Sequence, residues 1–267
     1  MAVLLVIPAR HASSRFPGKP LVPLRGAGGE ARSLIRRSWE AAQAVSGIDR
    51  VVVATEDERI RDHCRAFGAE VVMTTTAPRN GTERCAETLD RLGGRWEFVV
   101  NLQGDAPLTP PWFVEALLAA LRRDAGEAAM ATPVLRMEGA MLSAFREDRR
   151  AGRVGGTTAV FDAKGRALYF SKEVIPFTAR PFAEGEATPV WHHVGVYAYR
   201  PAALEAYRRR DPGPLEEQEG LEQLRFLEMG ETVLCVPVEA RGRPFWEVNN
   251  PEDVPRLEAM LGALGQP

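Results

Sequence analysis

The chain has 267 residues, 45% apolar and 26% charged, and its 34 lysines and arginines against 36 aspartates and glutamates leave a formal net charge of −2. That length suits one large α/β domain, or a domain with a subsidiary lobe, and is enough to bury an ample core. A nearly neutral chain has no global field to attract nucleic acid or a membrane surface, so any anion site must be local. Cys64, Cys85 and Cys235 are an odd, scattered set without the spacing of a zinc site or a disulfide framework, which points to reduced thiols and a cytoplasmic protein. The apolar amino-terminal run is too short to span a membrane, and Pro8 and Arg10 interrupt it before a signal-peptide core forms.

That run, Val3-Leu4-Leu5-Val6-Ile7, reads as a strand covered on both faces, and Pro8 to Pro20 as the loop leaving its carboxyl end. Within ten residues the loop carries Arg10, Arg15 and Lys19, with Gly18 and the small side chains of Ala9 and Ser13 letting backbone N–H groups approach an anion. On the residues alone, a phosphate site and a solvated basic turn both stay open. The string Ile7-Pro8-Ala9-Arg10, then Ser13-Ser14-Arg15, then Pro17-Gly18-Lys19-Pro20-Leu21 resembles the nucleotide-binding signature of sugar nucleotidyltransferases that make CMP-activated acidic sugars. Within that group it is similar above all to the 3-deoxy-manno-octulosonate (Kdo) cytidylyltransferases, and the likeness runs through nearly the whole chain. It implies that Pro8, Ala9, Arg10, Ser13, Arg15 and Lys19 line a nucleotide site, with Arg10 and Lys19 gripping the triphosphate during catalysis.

Gly26, Gly28, Gly29 and Ala31 nominally fit a relaxed dinucleotide fingerprint, but Pro20 and Pro23 spoil the strand that should precede it, so a hairpin or insertion is favoured. Ser33 is placed to cap a helix carrying Leu34, Ile35, Trp39 and Ala42, ending near Gly47. Val51 to Ala54 reads as a strand, followed by a helix with Ile60, Cys64 and Phe67 on one side, and Glu70 to Met73 as a third strand. Glu56 and Asp57 read as helix amino-terminal carboxylates. Strand and helix alternating at this spacing imply right-handed crossovers and a parallel sheet.

Asn80-Gly81 reads as a turn with Thr82 as a helix cap. By resemblance, Thr82, Glu83 and Arg84 hold the base and ribose of CTP. After the strand Phe98 to Leu102 comes Gln103-Gly104-Asp105, where a carboxylate shares the strand-end edge with the basic loop and suits a hard divalent cation on phosphate oxygens. The resemblance makes Gln103 a nucleotide contact and Asp105 a catalytic ligand of Mg²⁺. Ala106 stands where the family has a glutamate. Pro111 opens a further helix and Met130 to Val134 is a short strand; after Gly139 the regular alternation fades.

The first half, 1–138, is expected to bind nucleotide and 139–267 to shape the second substrate's site, and the resemblance implies that the latter binds the sugar and forms a dimer contact within a single nucleotidyltransferase domain. Thr157 to Asp162 and Ala167 to Lys172 read as two strands, and Val190 to Arg200 as one half-buried strand. Neighbouring His192 and His193 face opposite ways on a strand and do not share a metal. Pro214 begins one charged helix through Arg225, with Glu216, Glu217 and Glu219 on a solvated face. Thr232 to Val236 is a late strand, and the last helix carries Val254, Leu257 and Leu261. The resemblance implies sugar contacts at Lys172, His193, Tyr197, Glu222 and Gln223, and a second metal ligand at Asn249. Thr158, Lys172 and Asn249 depart from the family's lysine, arginine and aspartate, and Arg241 and Arg243 are further cations for a sugar carboxylate.

The expected fold is α/β, a Rossmann-like, mostly parallel sheet flanked by helices, with a smaller mixed lobe. The reaction the resemblance implies is Mg²⁺-dependent transfer from CTP to Kdo for lipopolysaccharide or another surface glycan, by a homodimer; a cytoplasmic protein without nucleic-acid or membrane partners is expected. A cytidylyltransferase for another 2-keto acid sugar, or a nucleotide-binding relative without turnover, are the alternatives.

Overall fold

The computed structural model describes residues 2–12, 16–153, 156–243, 246–248 and 250–266. The chain forms two compact units, Met1–Glu115 with Ala240–Pro267, and Ala116–Glu239. These units divide it differently from halves at 138/139, because the carboxy-terminal segment belongs with the first.

The first unit starts from the apolar run. In β1 (Ala2–Pro8) the side chains of Val3 to Ile7 are at most 1% exposed. The glycine-rich stretch that follows is a hairpin of β2 (Pro23–Arg25) and β3 (Ala31–Ser33), paired antiparallel. Helix α1 (Leu34–Gln43) is capped by Ser33, whose hydroxyl accepts from Arg36 N. Next come β4 (Arg50–Thr55), α2 (Glu58–Ala66) and β5 (Glu70–Met73). Asp57 caps α2, accepting from Arg59 N and Ile60 N. Helix α3 (Gly81–Leu92) is capped by Asn80, which accepts from Glu83 N at 2.9 Å, so the cap lies two residues before the expected Thr82. Asparagine is the better cap, and placing it there puts Thr82 inside the first turn. Strand β6 (Trp96–Leu102) and α4 (Pro111–Arg123) follow, and within α4 the chain passes into the second unit.

The strands of this unit stand in the order β5-β4-β1-β6, all parallel. The chain winds outward from β1 through β4 to β5, then returns to the other side of β1 as β6. That reversal makes the carboxyl ends of β1 and β6 a switch point, where the loops diverge and leave a crevice.

In the second unit, β7 (Ala128–Glu138) leads into α5 (Gly139–Arg150), a regular helix where alternation was expected to fade. Its only buried residues are Gly139 and Leu142, too narrow an apolar face to read as a helix. Then come β8 (Thr157–Phe161), β9 (Ala167–Ser171), β10 (Ala187–His193) and β11 (Val196–Tyr199). The expected single strand at 190–200 is thus two, interrupted at Val194-Gly195, and both lie antiparallel to β7. Helices α6 (Pro201–Arg208), α7 (Pro214–Glu219) and α8 (Leu224–Glu228) follow, and β12 (Thr232–Val238) runs parallel to β7. The charged helix expected from Pro214 to Arg225 is broken because Gly220, at φ 61°, ends α7 in the left-handed conformation.

Helix α9 (Asp253–Ala263) closes the first unit. Leu257 and Leu261, four apart on one face, join Leu24, Leu34, Leu108 and Val248 in a buried cluster. Among the described residues no helix is long and apolar enough to cross a membrane.

Candidate active site

The crevice at the ends of β1 and β6 is assembled by close backbone approach. Val6 pairs with Asn101, so both strands end level. A Cβ on Gly104 would lie 2.9 Å from the Pro8 carbonyl oxygen, so only glycine lets the turn after β6 press this closely on the end of β1. Ser38 of α1 donates to the Gly104 carbonyl at 2.9 Å and pins the turn from behind.

Two candidates from opposite loops meet here. Lys19 Nζ lies 2.5 Å from Asp105 Oδ2 and also donates to the Val248 carbonyl at 2.8 Å. The Val248 N–H in turn donates to the Asp105 carbonyl at 3.0 Å, which ties the carboxy-terminal segment to both. Ala106 is wholly buried, so the family's glutamate is replaced by a side chain that only packs. Glu247, which the sequence reading did not single out, belongs to this group. Burial first, and then the Asp105 charge, raise its carboxyl pKa well above the usual range, against the pull of Lys19. Its sequence signal was only its place two residues before Asn249.

Pro8 ends β1, and Ala9 N donates to the Ala54 carbonyl at 2.9 Å, carrying the loop out beside β4. Gly18 N bonds back to the His11 carbonyl at 3.0 Å, and Gly18 has φ 72° with the His11 ring against it, which only glycine tolerates well. Arg10 is exposed, while Ser13, Arg15 and Asn249 lie outside the described residues.

The residues at the start of α3 are mostly engaged with protein. Glu83 pairs with Arg79, whose Nε donates to its carboxylate at 2.8 Å and whose backbone N donates at 2.7 Å. Arg84, 4% exposed, pairs with Glu56 at 2.8 Å and donates to Thr74 Oγ1. Burial lowers the Arg84 pKa, Glu56 opposes that, and the Arg10 charge adds to the lowering, which puts the first basic residue of the loop within electrostatic range of α3. Thr82 is buried. Gln103 and the buried Asn101 bring their side-chain amides within 3.0 Å of where a Cβ on Gly81 would sit. Arg84 and Glu83 therefore fix the shape of this loop, and Gln103 presents an amide at the edge of the crevice.

In the second unit, His193, Tyr197 and Gln223 are brought together and enclosed, at 5%, 4% and 1% exposure. The Tyr197 hydroxyl donates to Gln223 Oε1 at 3.2 Å, and the Tyr197 and His193 ring centroids are 5.7 Å apart. Thr132 gives its hydroxyl hydrogen to the Val196 carbonyl at 2.9 Å and so accepts from His193 Nε2 at 2.9 Å, which selects the Nε2-protonated neutral ring. The Lys172 backbone N donates to Glu219 at 2.8 Å, and its ammonium packs over Gly220. Thr158 is fully buried with its hydroxyl donated to the Glu173 carbonyl at 2.6 Å. Glu222 is half-buried, and its carbonyl accepts from Tyr207 at 3.1 Å. The solvated face expected of the glutamates holds only for Glu217. Glu216 is buried against Arg225 at 2.5 Å, and Glu219 accepts from Ser171 at 2.6 Å, three residues apart on one face of α7. Arg241 and Arg243 of the first unit lie over the Trp112 ring, at 4.8 and 5.5 Å from its centroid.

A parallel sheet whose switch-point crevice joins a basic glycine loop to an aspartate defines a nucleotidyltransferase. Residues 4–233 match the family model described as cytidylyltransferase. The chain is 45% identical to the 3-deoxy-manno-octulosonate cytidylyltransferase of Maricaulis maris, covering 100% of this chain and 99% of that one. It is 40% identical to the enzyme of the same name from Chlamydia pneumoniae, over 97% of this chain and 93% of that one. Among solved structures, CMP:2-keto-3-deoxy-manno-octonic acid synthetase complexed with CTP superposes with a TM-score of 0.83 at 30% identity, covering 99% of this chain and 100% of that one. A cytidylyltransferase from Leptospira borgpetersenii, at 16% identity over 97% of this chain and 86% of that one, with a TM-score of 0.59, shares the fold alone. The chain belongs to the 3-deoxy-manno-octulosonate cytidylyltransferase family.

Proposed function

We propose that the chain transfers the cytidylyl group of CTP to the anomeric hydroxyl of Kdo, giving CMP-Kdo and pyrophosphate. The hydroxyl oxygen forms a bond to the α-phosphorus, the bond from that phosphorus to the pyrophosphate oxygen breaks, and the hydroxyl proton passes to water. The observation that carries the reading is the meeting of Lys19 and Asp105 across the crevice at the ends of β1 and β6. Arg10, Arg15 and Lys19 bind and orient the triphosphate and offset charge on the departing pyrophosphate. Gln103 contacts the nucleoside, and the loop braced by Glu83 and Arg84 walls its base. Lys172, His193, Tyr197, Glu222 and Gln223 are the sugar contacts in this reading.

The Asp105 carboxylate at the crevice, paired with Lys19, is a hard oxygen donor of the kind that suits a divalent cation sharing phosphate oxygens and water. Asp105 and Asn249 are the residues that would hold Mg²⁺, which when bound neutralises phosphate charge and aligns the triphosphate. We place the reaction in the cytoplasm, in a homodimer whose mass in solution is a direct check.

Pyrophosphate release from CTP and Mg²⁺ over a panel of acidic sugars tests the proposal. Release with Kdo supports it. Release with only another 2-keto acid sugar, which the altered Thr158 and Lys172 positions would favour, moves the substrate. Binding of CTP without release from any sugar overturns catalysis.

A further inference from the structure

We infer that Glu219 and Arg149 are positioning residues for the sugar, two opposite charges that grip the backbone of Lys172 and leave its ammonium for the anionic group of the substrate. The inference rests on the reading of Lys172 as a sugar contact, and every residue in it belongs to the second unit.

Lys172 directly follows the last residue of β9, where the chain leaves the sheet. Its N–H donates to Glu219 Oε2 at 2.8 Å, and its carbonyl accepts from Arg149 Nε. A carboxylate of α7 and a guanidinium of α5 thus hold the two polar backbone groups of one residue. Hydrogen bonds to formal charges are roughly twice as strong as neutral ones, so this backbone is held more firmly than a turn bonded to water. The guanidinium is itself fixed, because it also donates to the Gly156 carbonyl. The chain beyond Lys172 is bound in turn by Thr158 of β8, whose hydroxyl donates to the Glu173 carbonyl at 2.6 Å and accepts from Ile175 N at 3.2 Å.

The disposition of the Glu219 charge distinguishes this from an ordinary braced turn. Its carboxylate accepts from the Ser171 hydroxyl at 2.6 Å, the Tyr169 hydroxyl at 3.5 Å and the Lys172 N–H, none of them a cation. The Lys172 ammonium, although packed over the adjacent Gly220, makes no hydrogen bond or ion pair among the described residues. A Cβ on Gly220 would lie 2.9 Å from Lys172 Nζ, so glycine at that place leaves the ammonium its room. Lysine reaches on a flexible four-carbon stem, and fixing the root of that stem narrows where the charge can go. A half-buried ammonium held at its root but not neutralised is organised in advance for an incoming anion, such as the carboxylate of an acidic sugar.

Steady-state pyrophosphate release, with the acidic sugar that the unaltered chain turns over as the varied substrate, tests this. Glu219→Gln keeps the size of the side chain and removes its charge; it should raise the KM for the sugar about 10–100-fold, as a displaced contact does, and leave the KM for CTP unchanged. Lys172→Met should raise the sugar KM as well, and Glu219→Gln added to it should raise it no further, because a positioning residue acts through the residue it holds. Melting temperatures are followed throughout, and Arg149→Lys carries the same cycle if Glu219→Gln does not fold. The chain has three lysines, Lys19, Lys164 and Lys172, so ¹⁵N-lysine labelling gives three backbone amide signals, and that of Lys172 should lose its protection from hydrogen exchange in Glu219→Gln. A sugar KM unmoved in either folded single variant overturns the inference, as do effects that multiply in the double variant, the mark of a residue that supports the lobe by another route. Absence of pyrophosphate release from the unaltered chain with every sugar overturns the reading beneath it as well, so the two failures are distinguishable.

Discussion

Lys19 and Asp105 lie 86 residues apart in the chain, yet the ammonium of one is 2.5 Å from the carboxylate of the other. Nothing local brings them together. The parallel pairing of β1 with β6 does, by ending both strands at one level. The pair neutralises itself in the free protein. Asp105→Asn, which keeps the shape and removes the charge, should lower turnover by about 10²–10³-fold, the usual loss for one electrostatic catalytic group. Lys19→Met should raise the KM for CTP and lower kcat. Steady-state pyrophosphate release, with far-ultraviolet circular dichroism as the fold control, checks both.

Gly104 offers a test of positioning without touching a charge. Its missing Cβ is what allows 2.9 Å contact with the Pro8 carbonyl, and the obstacle is backbone, which yields at a cost. Gly104→Ala should cost about 1–3 kcal/mol of stability by overpacking, and lower kcat more than tenfold by moving Asp105. Urea denaturation and the same kinetic assay read the two effects. Full activity in the variant would mean that the crevice tolerates displacement of its acid.

The part of this design visible in the sequence is the part written in short-range patterns. The apolar run Val3 to Ile7 followed by clustered cations, and an aspartate just past another apolar run at Leu102, identify strand ends and the residues they present. Ser33 and Asp57 read as what they are, helix amino-terminal residues, because a cap is a local contact. What could not be read depends on long-range closure. Glu216 looks like one more solvated glutamate until Gly220 breaks the helix and Arg225 folds back onto it. Glu83 and Arg84 carry the family's letters, but only the fold shows them engaged with Arg79 and Glu56. Glu247 has no motif of its own, and its place follows from the hydrogen bonds of Val248 to two distant loops.

His193 makes stability depend on acidity. Burial first, then the neighbouring His192 charge, lower its pKa from 6.5 to about 3. The unfolded chain therefore binds a proton near pH 6.5 that the folded chain refuses, so stability is full above that value and falls as pH drops towards 3. Between pH 8 and pH 5 the loss from this one ring is about 2 kcal/mol. His192, lowered to about 4 but partly exposed, adds a smaller amount in the same direction. Urea midpoints at the two pH values measure it, and His193→Gln, which keeps a donor towards Thr132, should flatten the dependence.

Among the described residues Arg225 is the largest wholly buried side chain, held by the Glu216 carboxylate at 2.5 and 2.7 Å and lying 3.9 Å from the centroid of the Tyr207 ring. Removing one member of such a pair leaves the other charged and buried. Arg225→Ala should therefore cost about 3–5 kcal/mol, and Arg225→Lys should recover only part, because an ammonium lacks the planar fork that meets both oxygens. Denaturant titration gives the values.

The central claim is that a cation-bound nucleotide lies between the β1 loop and the end of β6, and diffraction from crystals grown with CTP and Mn²⁺ tests it most directly. The account predicts an anomalous peak at coordinating distance from the Asp105 carboxylate, with triphosphate oxygens beside Lys19 and Arg10. Nucleotide or metal bound away from both residues would contradict it.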